Sequence, residues 1–143
     1  MVDKLITGIA QAIRKEFPAT TYKIYTEKTE QGIRKPCFFI LCVTQNHELR
    51  LKDRFRLEST FDIHYFPKNG NAEGWEVAEK LRMILEWITL DGDFLLGSSM
   101  NYKMEDGVLH FLVDYTLNMV HKKGPYDFME EVKVYGKIRE TGK

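Results

Sequence analysis

Residues 53–67 read DRFRLESTFDIHYFP, and this stretch decides the fold. Phe55, Leu57, Phe61, Ile63 and Tyr65 fall on one parity, while Arg54, Arg56, Glu58, Thr60, Asp62 and His64 fall on the other. A strand with one buried and one wet face produces this period of two, because successive side chains leave the backbone on opposite sides. Ser59 is the one gap in the apolar set. The run exceeds the roughly 5–6 residues of an average strand, so it predicts a long central or hairpin strand. Its polar face carries charge of both signs and is the most informative surface in the chain.

Working upstream, PCFFILCVT at 36–44 is apolar on both parities. That predicts a strand buried on both faces, or covered by a helix on one and a subunit on the other. QNHELRLK joins it to the long strand, with a hairpin turn expected near Asn46 to Glu48. Cys37 and Cys42 lie five positions apart and so point to opposite faces of one strand, as two reduced thiols. Further upstream, Tyr22 to Thr26 reads as a short strand, and EKTEQGIRK at 27–35 as a polar loop. Leu5, Ile6, Ile9, Ala12, Ile13 and Phe17 recur at helical spacing over residues 2–17, and Pro18 stops that helix.

Downstream, Asn69-Gly70 marks a turn. A second amphipathic helix follows, with Trp75, Ala78, Leu81, Ile84, Leu85 and Ile88 on its apolar stripe and Trp87 at the rim or in the core. Asp91-Gly92-Asp93 turns the chain, and a second hairpin closes at Glu105-Asp106-Gly107. Its last strand repeats the alternation: Leu109, Phe111, Val113, Tyr115, Leu117 and Met119 oppose His110, Asp114, Thr116 and Asn118. The expected architecture is α+β, a mostly antiparallel sheet of about five strands with two amphipathic helices packed on one face. Residues 1–123 make a single domain; residues 124–143 are either a frayed tail or an arm that docks on this domain or a neighbour.

At 143 residues the chain suits one domain able to bury a core without staples. Lys plus Arg and Asp plus Glu each total 21, so the formal charge is zero. Neither duplex DNA nor an anionic membrane is favoured by that balance. No apolar run reaches the roughly 18–20 residues of a membrane span, and the N-terminus does not read as a signal peptide. The expected setting is the cytoplasm.

Chemistry is sparse. The histidines are His47, His64, His110 and His121, and none has a Cys, His or carboxylate at a local metal-site spacing. They read as surface residues. Nucleophile elbow, phosphate loop, dinucleotide fingerprint and zinc-protease motif are all missing from the sequence. The glycines of GNAEG precede a helix, but acidic Glu73 would oppose an anion there. No catalytic, metal or cofactor residue is assigned, and the residues favour an assembly or interaction module over an enzyme.

Three stretches, YKIYTEKTEQGIRKPCFFI at 22–40, FDIHYFPK at 61–68 and MNYKMEDGVLHFLVDY at 100–115, together resemble the phage tail terminator family of phages and prophages of Gram-positive bacteria. The resemblance extends to about residue 120 and rests on structural signatures. It implies a ring, typically a homohexamer, that caps the tail tube, ends its polymerisation and joins the tail to the head or neck. Such a protein assembles in the bacterial host cytoplasm and ends in the virion tail. Its partners are copies of itself, the tail tube protein and a head-completion or neck protein, with DNA only in transit and no membrane. On that basis Arg54, Arg56, Glu58, Asp62, His64, His110, Asp114 and Asn118 are candidates for subunit contacts or the ring lumen, against a plain solvated sheet face. Glu27, Lys28, Glu30, Gln31, Arg34 and Lys35 are candidates for a loop contacting tube or neck. The alternatives are another neck or head-completion protein of the virion, and a small ligand-binding or enzymatic α+β domain.

Overall fold

A computed structural model describes residues 1–26, 32–122 and 131–135. Helix α1 (Val2–Glu16) buries Leu5, Gly8, Ile9, Ala12 and Ile13, the stripe expected from an i, i+3, i+4, i+7 pattern. Asp3 lies in its first turn and Arg14 and Lys15 in its last, as the helix dipole favours. It stops at Phe17, whose backbone is already extended ahead of Pro18. The Arg14 guanidinium then donates to the Tyr22 carbonyl at 2.6 Å and ties the exit to the sheet.

The strands are β1 (Lys23–Tyr25), β2 (Cys37–Leu49), β3 (Arg54–Phe66), β4 (Trp87–Leu90), β5 (Asp93–Glu105), β6 (Val108–Lys122) and β7 (Glu131–Tyr135). They form one mixed sheet in the order β1-β2-β3-β6-β5-β4, with β7 pairing β6 beyond the reach of β5. Among the described strands only β1 and β2 run parallel. Helix α2 (Asn71–Ile84) crosses over between β3 and β4. The class is the α+β one expected, with more strands than the five anticipated.

The odd positions of β3 and β6 are sealed beneath the helices. Phe55, Leu57, Ser59, Phe61, Ile63 and Tyr65 are buried, as are Leu109, Phe111, Val113, Tyr115, Leu117 and Met119. Phe17 and Phe38 meet edge-on at 5.0 Å, and Phe38 packs on Tyr65 at 4.7 Å, so aromatic rings join α1 to the sheet. Ser59, the gap in the pattern, is fully buried and its hydroxyl accepts from the Gln45 amide at 2.8 Å. A buried hydroxyl is tolerated where such a partner exists.

Three expectations need correction. The β2–β3 turn is not at Asn46 to Glu48 but at Arg50–Asp53, where Arg50 N–H donates to the Arg54 carbonyl and Arg54 N–H to the Leu51 carbonyl. Polar composition suggested a loop there, but β3 is long, and its backbone groups take β2 as their ladder partner as far as Leu49. An extra residue between Cys42 and Thr44 forms a bulge, so Phe38, Ile40 and Cys42 face the core before it while Gln45, His47 and Leu49 face that side after it. Second, α2 ends at Ile84, and Ile88 belongs to β4, where it is buried against Gly8 of α1. A Cβ on Gly8 would come within 2.7 Å of the Thr89 carbonyl, so glycine lets α1 lie directly on β4. Third, Trp75 is nearly half exposed and off the apolar stripe, which instead runs through Gly74, Val77, Ala78 and Leu81.

The remaining turns follow the sequence closely. Asp91 and Gly92 join β4 to β5, and Asp106 and Gly107 join β5 to β6; all four have positive φ, as two-residue hairpin loops require. Strand β5 starts at Asp93, earlier than its sequence suggested, because it pairs with β4 before reaching β6. Cys37 and Cys42 are free thiols on opposite faces of β2. Burial pushes the Cys37 thiol up to about 11, against the opposing effect of Lys35, and it also raises Cys42, so neither is a ready nucleophile.

Candidate functional site

The open face of the sheet is made by the even positions of β3 and β6. Their antiparallel register sets Arg56 opposite Asn118, Glu58 opposite Thr116, Thr60 opposite Asp114, Asp62 opposite Leu112 and His64 opposite His110. All eight sheet candidates therefore share one face, with Arg54 exposed at its end and the other seven half-buried. The face is internally paired. Arg56 lies 3.6 Å from Glu58, and Thr60 donates to Asp114 at 2.6 Å.

The most concentrated chemistry lies toward the β1 side. His64 Nε2 is 2.9 Å from Asp62 Oδ2, and His110 Nδ1 is 3.6 Å from the same oxygen. The two imidazole rings meet edge-on with centroids 4.3 Å apart. Burial pushes the Asp62 carboxyl up, but the hydrogen bond and charge of His64, reinforced by His110, outweigh it and hold the group below its ordinary value. Asp62 Oδ1 is buried without a hydrogen-bond partner, the only such side-chain atom among the described residues. Around this trio, Leu41 and Leu112 flank Asp62, and Phe39 lies beside His64. Phe39 in turn stacks on Tyr25 at 4.9 Å and meets Phe66 at 5.5 Å, so an apolar border closes this end of the face.

No local spacing announces the Asp62–His64–His110 group, because the two histidines come from separate strands. The β3–β6 register brings them together, and only the matched alternation of the two strands hinted at it. The reading of all four histidines as separate surface residues therefore fails for His64 and His110. His47 is exposed and packs its ring on Phe55 at 4.3 Å. Among the loop candidates, Arg34 and Lys35 are exposed, and the Arg34 N–H donates to the Tyr25 hydroxyl at 3.3 Å. Glu27, Lys28, Glu30 and Gln31 lie outside the described residues, as does the side chain of His121.

Two apolar surfaces escaped the sequence reading. The β2–β3 hairpin exposes Val43, Leu49 and Leu51, the last at 77%. At the β4 edge, Trp87 sits opposite Leu96, and Phe94 lies two pairs further along on the same face; all three are exposed. The leucines of LRL in a polar turn were the available signal for the first. For the second, assigning Trp87 and Ile88 to a helix hid the alternation that throws them onto opposite faces of a strand.

Glu73, in the first turn of α2, holds the loop that leads into the helix. Glu73 accepts from the backbone N–H groups of Lys68 and Asn69 at 3.2 and 2.8 Å, and from the Tyr65 hydroxyl. No helix of the described residues is long and apolar enough to cross a membrane.

A sheet sealed on one side by two helices leaves a half-polar open face and two separate apolar surfaces exposed. Residues 4–127 match the family described as phage tail terminator protein, and the chain belongs to that family. It is thus a structural component of a phage tail, and its partners are tail proteins. No curated protein matches the chain.

Proposed function

We propose that the chain is the subunit of a closed homohexameric ring that caps the tail tube, ends its polymerisation and forms the joint to the head or neck. The ring assembles in the cytoplasm of the bacterial host, contacts the tube protein on one side and a head-completion protein on the other, and lets DNA pass through. Its role is non-catalytic.

One observation carries this reading: the exposed apolar hairpin tip and the exposed apolar β4–β5 edge are different surfaces on different strands. A head-to-tail ring needs two unlike, complementary patches on each subunit, whereas an isologous dimer needs one. Scattered exposed apolar side chains are ordinary, but grouped ones mark contacts. The open face, with Arg54, Arg56, Glu58 and Asp114 in a mixed-sign array, supplies the adjoining polar contacts or lines the lumen. A lining of balanced charge lets DNA slide, since tight binding requires many cationic contacts to phosphate.

Light scattering behind size exclusion, with the protein alone and mixed with tail tubes, tests the reading. Each subunit is 16.8 kDa, so a hexamer has a mass of about 100 kDa. Such a species, free or recovered at tube ends, is the expected result. A chain that stays monomeric and leaves tube growth unchanged would refute it. Charge reversal at both Arg54 and Arg56 is expected to impair ring formation or tail joining; if both survive, the open face is not an interface.

A further inference from the structure

We propose that Asp62, His64 and His110 form a binding site for a divalent cation of the zinc class. Two imidazoles and a carboxylate are a donor set that suits zinc and its first-row neighbours. One ligand atom from each residue lies within 4.8 Å of the others. Around an ion with bonds of about 2.0–2.2 Å, neighbouring donors stand roughly 3–3.5 Å apart. The observed separations from Asp62 Oδ2, 2.9 Å to His64 Nε2 and 3.6 Å to His110 Nδ1, bracket that range. Small rotations of the three side chains would admit an ion without moving the strands.

An ordinary aspartate–histidine ion pair leaves one feature unexplained. Asp62 Oδ1 is buried with no hydrogen-bond partner, although buried polar atoms are nearly always satisfied. A cation held by both carboxylate oxygens, or a water bound to that cation, would supply the missing partner. Leu41 and Leu112 stand beside Asp62 in the strand register, and Phe39 beside His64. The nearest register neighbour of opposing charge is Lys103, which stands beside His110 and approaches Glu105 at 3.5 Å. Three protein donors leave coordination open on the solvent side, where a water or a donor from a facing molecule completes it. The proposal rests on this side-chain geometry and not on the ring.

The test is calorimetric titration of the full chain with ZnCl₂, repeated with CoCl₂ while recording the visible ligand-field bands of Co²⁺. Wild type is compared with His64→Gln, His110→Gln and, as a control away from the cluster, His47→Gln; circular dichroism checks that each variant is folded. The expected result is one ion per chain, with affinity weakened at least about tenfold in either cluster variant and unchanged in His47→Gln. The absence of saturable binding by wild type at millimolar Zn²⁺ overturns the proposal whatever the variants do. So does binding that survives equally in both cluster variants, or that His47→Gln abolishes to the same extent.

Discussion

Tyr65 and Glu73 show how one side chain ties β3 to the start of α2. Tyr65 is fully buried, and burial together with the neighbouring carboxylate pushes its hydroxyl far above the ordinary value, so it stays a neutral donor. Burial alone would raise Glu73, but the Tyr65 hydroxyl and the two backbone N–H groups hold its carboxyl below the ordinary 4.5. A depressed folded value means that ionised Glu73 stabilises the fold fully above the unfolded value, and that this contribution is lost as pH falls through the folded one. Glu73→Ala leaves a buried hydroxyl unsatisfied and should cost about 1–3 kcal/mol near neutral pH. Urea midpoints of wild type and Glu73→Ala are expected to differ clearly at pH 7, and the gap to narrow as the pH falls below the ordinary carboxylate range. A gap independent of pH would show that packing, not the carboxylate, carries the effect. Sequence reading placed Glu73 at a helix start as a bar to anions, but it could not show the Tyr65 partner, which depends on how β3 meets the helix. His64 and His110 were hidden for a similar reason: alternation fixes which face a residue occupies, while register fixes which residue it meets.

The elements were legible wherever one face was consistently buried. Burial alternates without interruption along β3 and β6 because helices seal one side, and α1 keeps its stripe because the same core receives it. Strand β2 was harder, since the bulge at Val43 exchanges which parity faces inward, and Cys37 and Phe39 are covered on the opposite face as well. The helix extending to Ile88 was the clearest miss: Ile88 of β4 continues the helical apolar spacing by coincidence, and only pairing with β5 decides the matter. Both assignments bury Ile88, but the helix left Trp87 at the rim or in the core, whereas β4 puts it on the face opposite Ile88. In β4, Ile88 is 1% exposed and Trp87 is 43% exposed. Ile88→Ala should therefore cost about 2–5 kcal/mol of folding stability through the cavity it opens. Trp87→Ala, at an exposed position, should change stability by only about 0.5 kcal/mol. Denaturant midpoints of the two variants check this, and a larger loss at Trp87 than at Ile88 would reverse the assigned faces.

At the scale of the whole molecule, the hairpin tip and the β4–β5 edge make the head-to-tail arrangement directly testable. If the tip of one subunit meets the edge of the next, every chain carries one half of two contacts. Leu49→Ser combined with Leu51→Ser removes the tip half and leaves the edge intact, while Trp87→Ser combined with Leu96→Ser does the reverse. The substituted side chains are exposed, at 69%, 77%, 43% and 44%, so both variants should fold. Each alone is expected to be monomeric, since every possible contact then lacks one half. Mixed together, the intact edge of the first variant meets the intact tip of the second, and the chain of contacts stops after one step because the outer surfaces are the damaged ones. Equimolar mixing should therefore give a heterodimer of about 34 kDa from two 16.8 kDa chains, read by light scattering or by native mass spectrometry with one variant isotopically labelled. An isologous contact through either patch predicts something else: the variant that keeps that patch would dimerise alone, without mixing. Two monomers that ignore each other would show that neither patch is the ring contact, and would leave the open face carrying Arg56, Glu58 and Asp114 as the surface through which copies meet.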